Sequence, residues 1–133
     1  MMRNASLAMG WITLAGIILV AVGLLGFVSN PLVGSASGAL VATDAVHNVV
    51  HILTGLLALY IGLGLKGANQ INGVIGFGVL YAVIFVAVLL SPNLFGLFSV
   101  PANAVDHVIH VALAVVSLAV GYMARGNETA IAR

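Results

Sequence analysis

The sequence predicts an all-α membrane fold: four transmembrane helices formed by two tandem helical-hairpin repeats. Three observations lead there. Only 5% of the 133 residues are charged while 62% are hydrophobic, and mean hydropathy is +1.25. A water-exposed domain carries about a quarter charged residues, so lipid must be the solvent for most of this surface. Four apolar runs each approach the ~20 residues that cross ~30 Å of hydrocarbon as helix. Finally, the second half of the chain repeats the first.

The same composition sets exclusions. A net charge of +1 with four basic residues leaves no face for nucleic acid. The chain has no cysteine, which removes disulfides, thiolate metal sites and thiol catalysis. Four spans fill residues 1–133 as a single domain, with repeat one at about 7–67 and repeat two at about 71–126.

The first apolar run, 7–28, is longer than the apolar core of a signal peptide, so it reads as a span rather than a cleaved leader. Ser29, Asn30 and Pro31, followed by the small residues 34–38, form the first loop. The second run is 45–65, and 66–70 make the next loop. The third run is 71–90. Ser91, Pro92 and Asn93 open the third loop, and Pro101 closes it before the fourth run, 104–124. Arg3, Lys66, Arg125 and Arg133 fall in the two tails and the middle loop, whereas the first and third loops contain no Lys or Arg. The positive-inside rule then makes both termini cytoplasmic in a multi-pass plasma-membrane protein.

The repeat is read at an offset of 59 residues, which aligns His51 with His110. Val41 then meets Val100, Val49 meets Val108, Leu59 meets Leu118, Gly62 meets Gly121, and Lys66 meets Arg125. Duplicated hairpins inserted in the same direction are related by an axis along the membrane normal. The second and fourth helices would then face each other, or pack equivalently around that axis.

Nearly all the polar chemistry lies at the heads of those two helices. At ~100° per residue, Asp44, His47, Asn48, His51, Gly55, Ala58 and Gly62 share one arc of the second helix. Asn103, Asp106, His107, His110, Ala114, Ser117 and Gly121 share the matching arc of the fourth. Ionisable groups turned toward lipid would cost at least ~2.5–3.5 kcal/mol each, so these arcs should face the bundle. Asp44 and Asn103 sit where N-caps belong, and Asp106 three residues after Asn103 resembles a capping box. His47 and His107 lie within the first turn and are expected at the interface, among headgroups and water. His51 and His110 lie about seven residues past their caps, ~10 Å along the helix axis, and intramembrane ionisable groups mark functional sites by default. Elsewhere, Trp11 is expected in an aromatic belt. Tyr81, nearer mid-membrane, needs a partner for its hydroxyl that a helix backbone would supply. Gly16 and Gly23 should mark close packing of the first helix.

The run from His47 to Gly55 (H-N-V-V-H-x-x-x-G) and the run from Asp106 to His110 (D-H-V-I-H) resemble a prokaryotic family of small four-helix membrane proteins classed as a domain of unknown function. Its members repeat an Asn/His-x-x-His-Leu-x-x-Gly type motif at the heads of the second and fourth helices. The resemblance spans about 7–125. This chain departs in having Val50 and Ile109 before the deep histidines, Ile52 and Val111 after them, and Ala114 in place of the glycine. The resemblance implies the fold and no activity.

Three functions compete. In the first, a non-enzymatic protein uses a buried His/Asp cluster between helices two and four as a structural or accessory element. Because imidazole is the side chain that ordinarily titrates nearest neutral pH, that cluster could respond to pH. The cluster comprises Asp44, His47, His51, Asn103, Asp106, His107 and His110. In the second, His47, His51, Asp106 and His110 bind zinc or another divalent ion, since histidines at i and i+4 share a metal on one helix face. No H-E-x-x-H glutamate is present, so metalloprotease chemistry is unsupported, and no residue is assigned a catalytic role. In the third, haem b lies between His51 and His110, although no Lys or Arg on that side would meet its propionates. The expected partner is the lipid bilayer, with a second copy or another membrane protein as candidates and no nucleic acid.

Overall fold

The computed structural model describes residues 2–34, 39–91 and 103–132, with side chains described for 3–126 within those ranges. It contains four long helices: α1 (Met2–Leu25), α2 (Ala45–Leu59), α3 (Gly67–Leu90) and α4 (Ala104–Ala132). A π-helical turn, Tyr60–Gly64, continues α2. Two short parallel strands, β1 (Val33–Gly34) and β2 (Val41–Ala42), pair within the α1–α2 connection. With the π-turn included, each helix is long and apolar enough to cross a bilayer. Helices satisfy their backbone groups internally, as a segment in hydrocarbon must.

Boundaries differ from the sequence reading for local reasons. α1 stops at Leu25 rather than 28 because Asn30 captures the chain there. Its Nδ2 donates to the carbonyls of Leu25, Val28 and Val33, while its Oδ1 accepts from the N–H groups of Leu32 and Val33. Between α2 and α3 only Leu65 and Lys66 remain as connection. Gly67 makes the turn at φ +57, a left-handed conformation that favours glycine. Gln70 then reaches back from α3, donating to the carbonyls of Ile61, Gly62 and Leu65 that the end of α2 leaves free. The expected loop residues Ala68, Asn69 and Gln70 are therefore helical. The expected turns at 35–38, Pro92, Asn93 and Pro101 lie outside the described residues.

Two antiparallel hairpins make up the bundle. α1 packs on α2 and α3 on α4, while α1 also touches α4. Without a hydrophobic drive inside lipid, such contacts depend on close backbone approach, and glycines provide it. A Cβ placed on Gly16 would stand 2.9 Å from the Gly55 carbonyl and 2.9 Å from the Leu59 nitrogen. In the other hairpin, a Cβ on Gly78 would stand 3.1 Å from the Ala114 carbonyl and 3.0 Å from the Leu118 nitrogen. Ala114 and Leu118 are the residues that the 59-residue offset matches to Gly55 and Leu59. Gly23 packs on Ile52 in the same manner as Gly16 packs on Leu59.

Buried faces meet in a core of Ile12, Ala15, Ala58, Ile71, Val74, Phe77 and Tyr81, among others. Leu14, Ile17, Leu53, Leu56, Leu63, Val83, Leu90, Val108 and Val115 are exposed and form the lipid-facing surface. α2 divides cleanly: His47, Asn48, His51, Thr54, Gly55 and Ala58 are buried, whereas Val46, Val49, Leu53 and Leu56 are exposed.

Candidate metal centre

The site is built at the heads of α2 and α4. Asp44 is the N-cap of α2, its Oδ1 accepting from the His47 N–H at 2.8 Å. Asn103 Oδ1 accepts from the Asp106 N–H at 3.0 Å, and Asp106 Oδ2 accepts from the Asn103 N–H at 2.9 Å. This is a reciprocal capping box with aspartate in place of the usual glutamate. The same Oδ2 also accepts from the Ala42 N–H of β2 at 3.0 Å, and Asn103 Nδ2 donates to the Leu40 carbonyl. The α1–α2 connection is thereby fastened to the start of α4.

Beneath this layer three imidazoles converge. The rings of His47 and His51 lie 4.3 Å apart by centroid, those of His47 and His110 5.8 Å, and those of His51 and His110 6.3 Å. One nitrogen from each of His47, His51 and His110 falls within 4.8 Å of the others. All three residues are buried. The helices carrying them sit across the bundle from one another, so side chains rather than backbones bridge the gap.

Two expectations need correcting. His47 is not interfacial: it is only 1% exposed and belongs to the inner group. Val33, Val41 and Thr43 of the connection before α2 are buried too, so a first-turn position does not mean contact with water. His107 turns the other way, toward α3, where its ring meets Phe85 edge-on at 6.1 Å. Of the seven polar residues read from the sequence, three converge as imidazoles, Asp44, Asn103 and Asp106 form the capping layer above, and His107 stands aside.

Neutral imidazole carries one donor and one acceptor, and an unsatisfied buried polar atom costs about 1–3 kcal/mol. Both ring nitrogens of His51 are buried with no hydrogen-bond partner among the described residues, as are Nδ1 of His110 and Oδ1 of Asp106. His51 therefore holds no neighbouring helix by hydrogen bonding. Further side-chain links between the hairpins come from two other pairs. Trp11 Nε1 donates to Ser117 Oγ at 2.8 Å, joining α1 to α4. The Tyr81 hydroxyl lies 2.7 Å from Thr54 Oγ, joining α3 to α2. Thr54 donates its single hydroxyl hydrogen to the Val50 carbonyl at 2.8 Å, so Tyr81 is the donor between them. Its partner is a side chain and not the expected backbone. The signal for Thr54 was its position three residues after His51, on the same helix face.

Chemically, three neutral imidazoles suit a borderline divalent ion such as zinc. Zn–N distances of ~2.0–2.1 Å in a tetrahedron put donor nitrogens about 3.3 Å apart, a small side-chain adjustment from the present spacing. Haem fits poorly. The His47 ring occupies the space between and beside His51 and His110 that the macrocycle would need.

A family model described as a domain of unknown function, DUF4383, matches residues 11–123. None of the curated proteins and none of the solved structures matches the chain significantly.

Proposed function

The chain belongs to the DUF4383 family, of unknown function, and from that premise we propose that it is a multi-pass membrane protein that binds one divalent transition-metal ion, zinc foremost, through His47, His51 and His110. A single observation carries the reading: His51 is buried with both nitrogens unpartnered among the described residues, at a point where two further imidazoles bring nitrogens within 4.8 Å. A metal ion satisfies lone pairs that no donor among the described residues meets. Three protein ligands leave a fourth position open, the pattern of an exchangeable rather than a purely structural zinc site. Asp106 is a further candidate ligand through Oδ1, its other oxygen being engaged by two backbone N–H groups.

The test uses detergent-purified protein without a histidine tag, stripped with chelator and titrated with Co²⁺ and then Zn²⁺. One ion per chain is expected, with the visible absorption of tetrahedral cobalt. His51→Ala and His110→Ala should lose it while keeping native helicity. A load below about 0.1 zinc per chain, with no cobalt spectrum, overturns the proposal.

A second reading is a structural, pH-responsive polar core, supported by the way Asp106 ties β2 to α4. It predicts a large loss of thermal stability in His51→Ala and His110→Ala with no metal bound. Two further elements belong to the proposal. The hairpins are tandem repeats, about 7–67 and 71–126, supported by the matching Gly16 and Gly78 contacts. Both termini are cytoplasmic in the plasma membrane, supported by Arg3, Lys66 and Arg125 at one end of the bundle.

A further inference from the structure

One exposed stripe of α3 runs from a polar head into an apolar groove. Asn72, Gly76, Val79, Val83, Val86 and Leu90 follow alternating steps of four and three, which keeps them on one helix face, and all six are exposed. At the head, Arg125 Nη2 donates to Asn72 Oδ1 at 2.6 Å. The same guanidinium stands 5.5 Å from the Tyr122 ring centroid, a cation–π contact. Two contacts thus hold this exposed cation over the start of the stripe, and Lys66, also exposed, is the N-cap residue of the same helix. Gly76 comes next, where an added Cβ would meet nothing within 4 Å. Beyond that notch, Val79, Ala82, Val83 and Val86 of α3 with Leu118 of α4 line an apolar groove of about 510 Å³. We propose that this track binds one anionic phospholipid, with its phosphate at Arg125 and Lys66 and an acyl chain in the groove.

Groups along the track come in the order of groups along a phospholipid. Val79 and Val83 lie ~10 and ~17 Å from Asn72 along the helix axis. Half of a ~30 Å hydrocarbon core is ~15 Å, so a chain whose phosphate sits at Arg125 reaches that depth within one leaflet. Charge selects the headgroup. Among the described side chains, Arg3, Lys66 and Arg125 stand at this end of the bundle, while both carboxylates, Asp44 and Asp106, stand at the other. In the whole sequence this end has four bases, Arg133 included, against the single acid Glu128. Each basic residue at a membrane surface favours anionic lipid about fivefold, and a guanidinium meets phosphate oxygens as a bidentate fork. A second copy of the chain suits the face less, since a side-by-side neighbour in the same orientation brings like cations to the same depth. No imidazole or ion takes part, so the site stands apart from the metal reading.

Full-length protein in detergent is mixed with equal amounts of phosphatidylglycerol and phosphatidylcholine, and retained lipid is counted by native mass spectrometry. One phosphatidylglycerol per chain is expected, preferred about tenfold or more over phosphatidylcholine. Arg125→Gln and Lys66→Gln should each cut that preference about fivefold. If Arg125→Gln loses native helicity, Lys66→Gln carries the headgroup test. Gly76→Phe obstructs the track on an exposed face and should lose most of the retained lipid, whatever its headgroup. Gly10 is equally open on the exposed side of α1, so Gly10→Phe should retain lipid as the unaltered protein does. Equal retention of the two lipids overturns the proposal, as does a preference unchanged by either cation variant. Equal losses in Gly76→Phe and Gly10→Phe would mean an unspecific lipid shell and overturn it too. Displacement of the lipid by inorganic phosphate would mean an anion site that needs no acyl chain, and a lipid-free dimer would assign the face to a second copy; both outcomes sink it.

Discussion

His51 and His110 hold matching positions in two hairpins 59 residues apart, and their rings stand 6.3 Å apart in the middle of the bundle. The helices carrying them pack chiefly on other partners, α2 on α1 and α4 on α3. Imidazoles thus meet between helices whose main packing partners lie elsewhere.

His107 provides the internal control for the metal proposal. It lies three residues before His110 but turns to Phe85. Losing even an outer partner of a metal ligand typically lowers affinity 10–100-fold, so losing a ligand should do at least as much. His110→Ala should therefore weaken cobalt binding at least about tenfold by titration, and His107→Ala should stay within about twofold. Equal losses in the two variants would place the ion elsewhere.

The Tyr81–Thr54 hydrogen bond is a measurable link between the hairpins. Tyr81→Phe and Thr54→Val should each lower stability, and a double-mutant cycle in denaturant should return a coupling of ~0.6 kcal/mol, with ~1.7 as the upper range for membrane helices. A coupling of zero would remove the bond from the folded protein.

Close approach at the glycines predicts a paired sensitivity. Gly16→Val and Gly78→Val each force a branched side chain against a backbone carbonyl, and each should destabilise by about 1–3 kcal/mol in thermal or denaturant unfolding. Gly76 lies on the exposed side of α3 with nothing near its absent Cβ. Gly76→Ala should therefore be neutral or stabilising by up to about 1 kcal/mol. A loss at Gly76 matching that at Gly16 would contradict the packing.

Asp106 protects two backbone amides, those of Ala42 and Asn103. Hydrogen bonds to a charged group contribute about 1.5–3 kcal/mol, so in Asp106→Ala both amides should exchange hydrogen roughly tenfold faster or more. Amide exchange followed by mass spectrometry checks this. Unchanged protection at Ala42 would mean that the tie is absent in solution.

Orientation is open to chemical labelling, because the sequence contains no cysteine to interfere. Ser29→Cys and Ala68→Cys place thiols at exposed positions on opposite ends of the bundle. A membrane-impermeant maleimide applied to intact cells should label the first and spare the second. The reverse pattern would invert the topology.

Helix faces were legible from the chain because burial repeats with the helical period, and α2 buries the arc from His47 to Ala58 as that period requires. Contacts between helices were not legible, since an arc says which way a side chain points but not what lies opposite. His47 illustrates the limit: counting turns from its cap suggested water, yet it is buried, and the connection that leads into its helix is set by Asn30 and Asp106, residues distant from His47 in sequence or on another helix. Tyr81 was marked as needing a partner, but Thr54 became identifiable only when α3 was brought beside α2. Helix ends moved for similarly local causes, the grip of Asn30 on Leu25 and of Gln70 on Ile61.

The carboxylate of Asp106 makes the bridge between α1 and α2 a mechanical appendage of the opposite hairpin. Any outward swing of that bridge must drag the head of α4 or break a charge-assisted bond. Movement of the bridge is thus geared to the helix that presents His110, and a ligand that shifts one would be felt by the other.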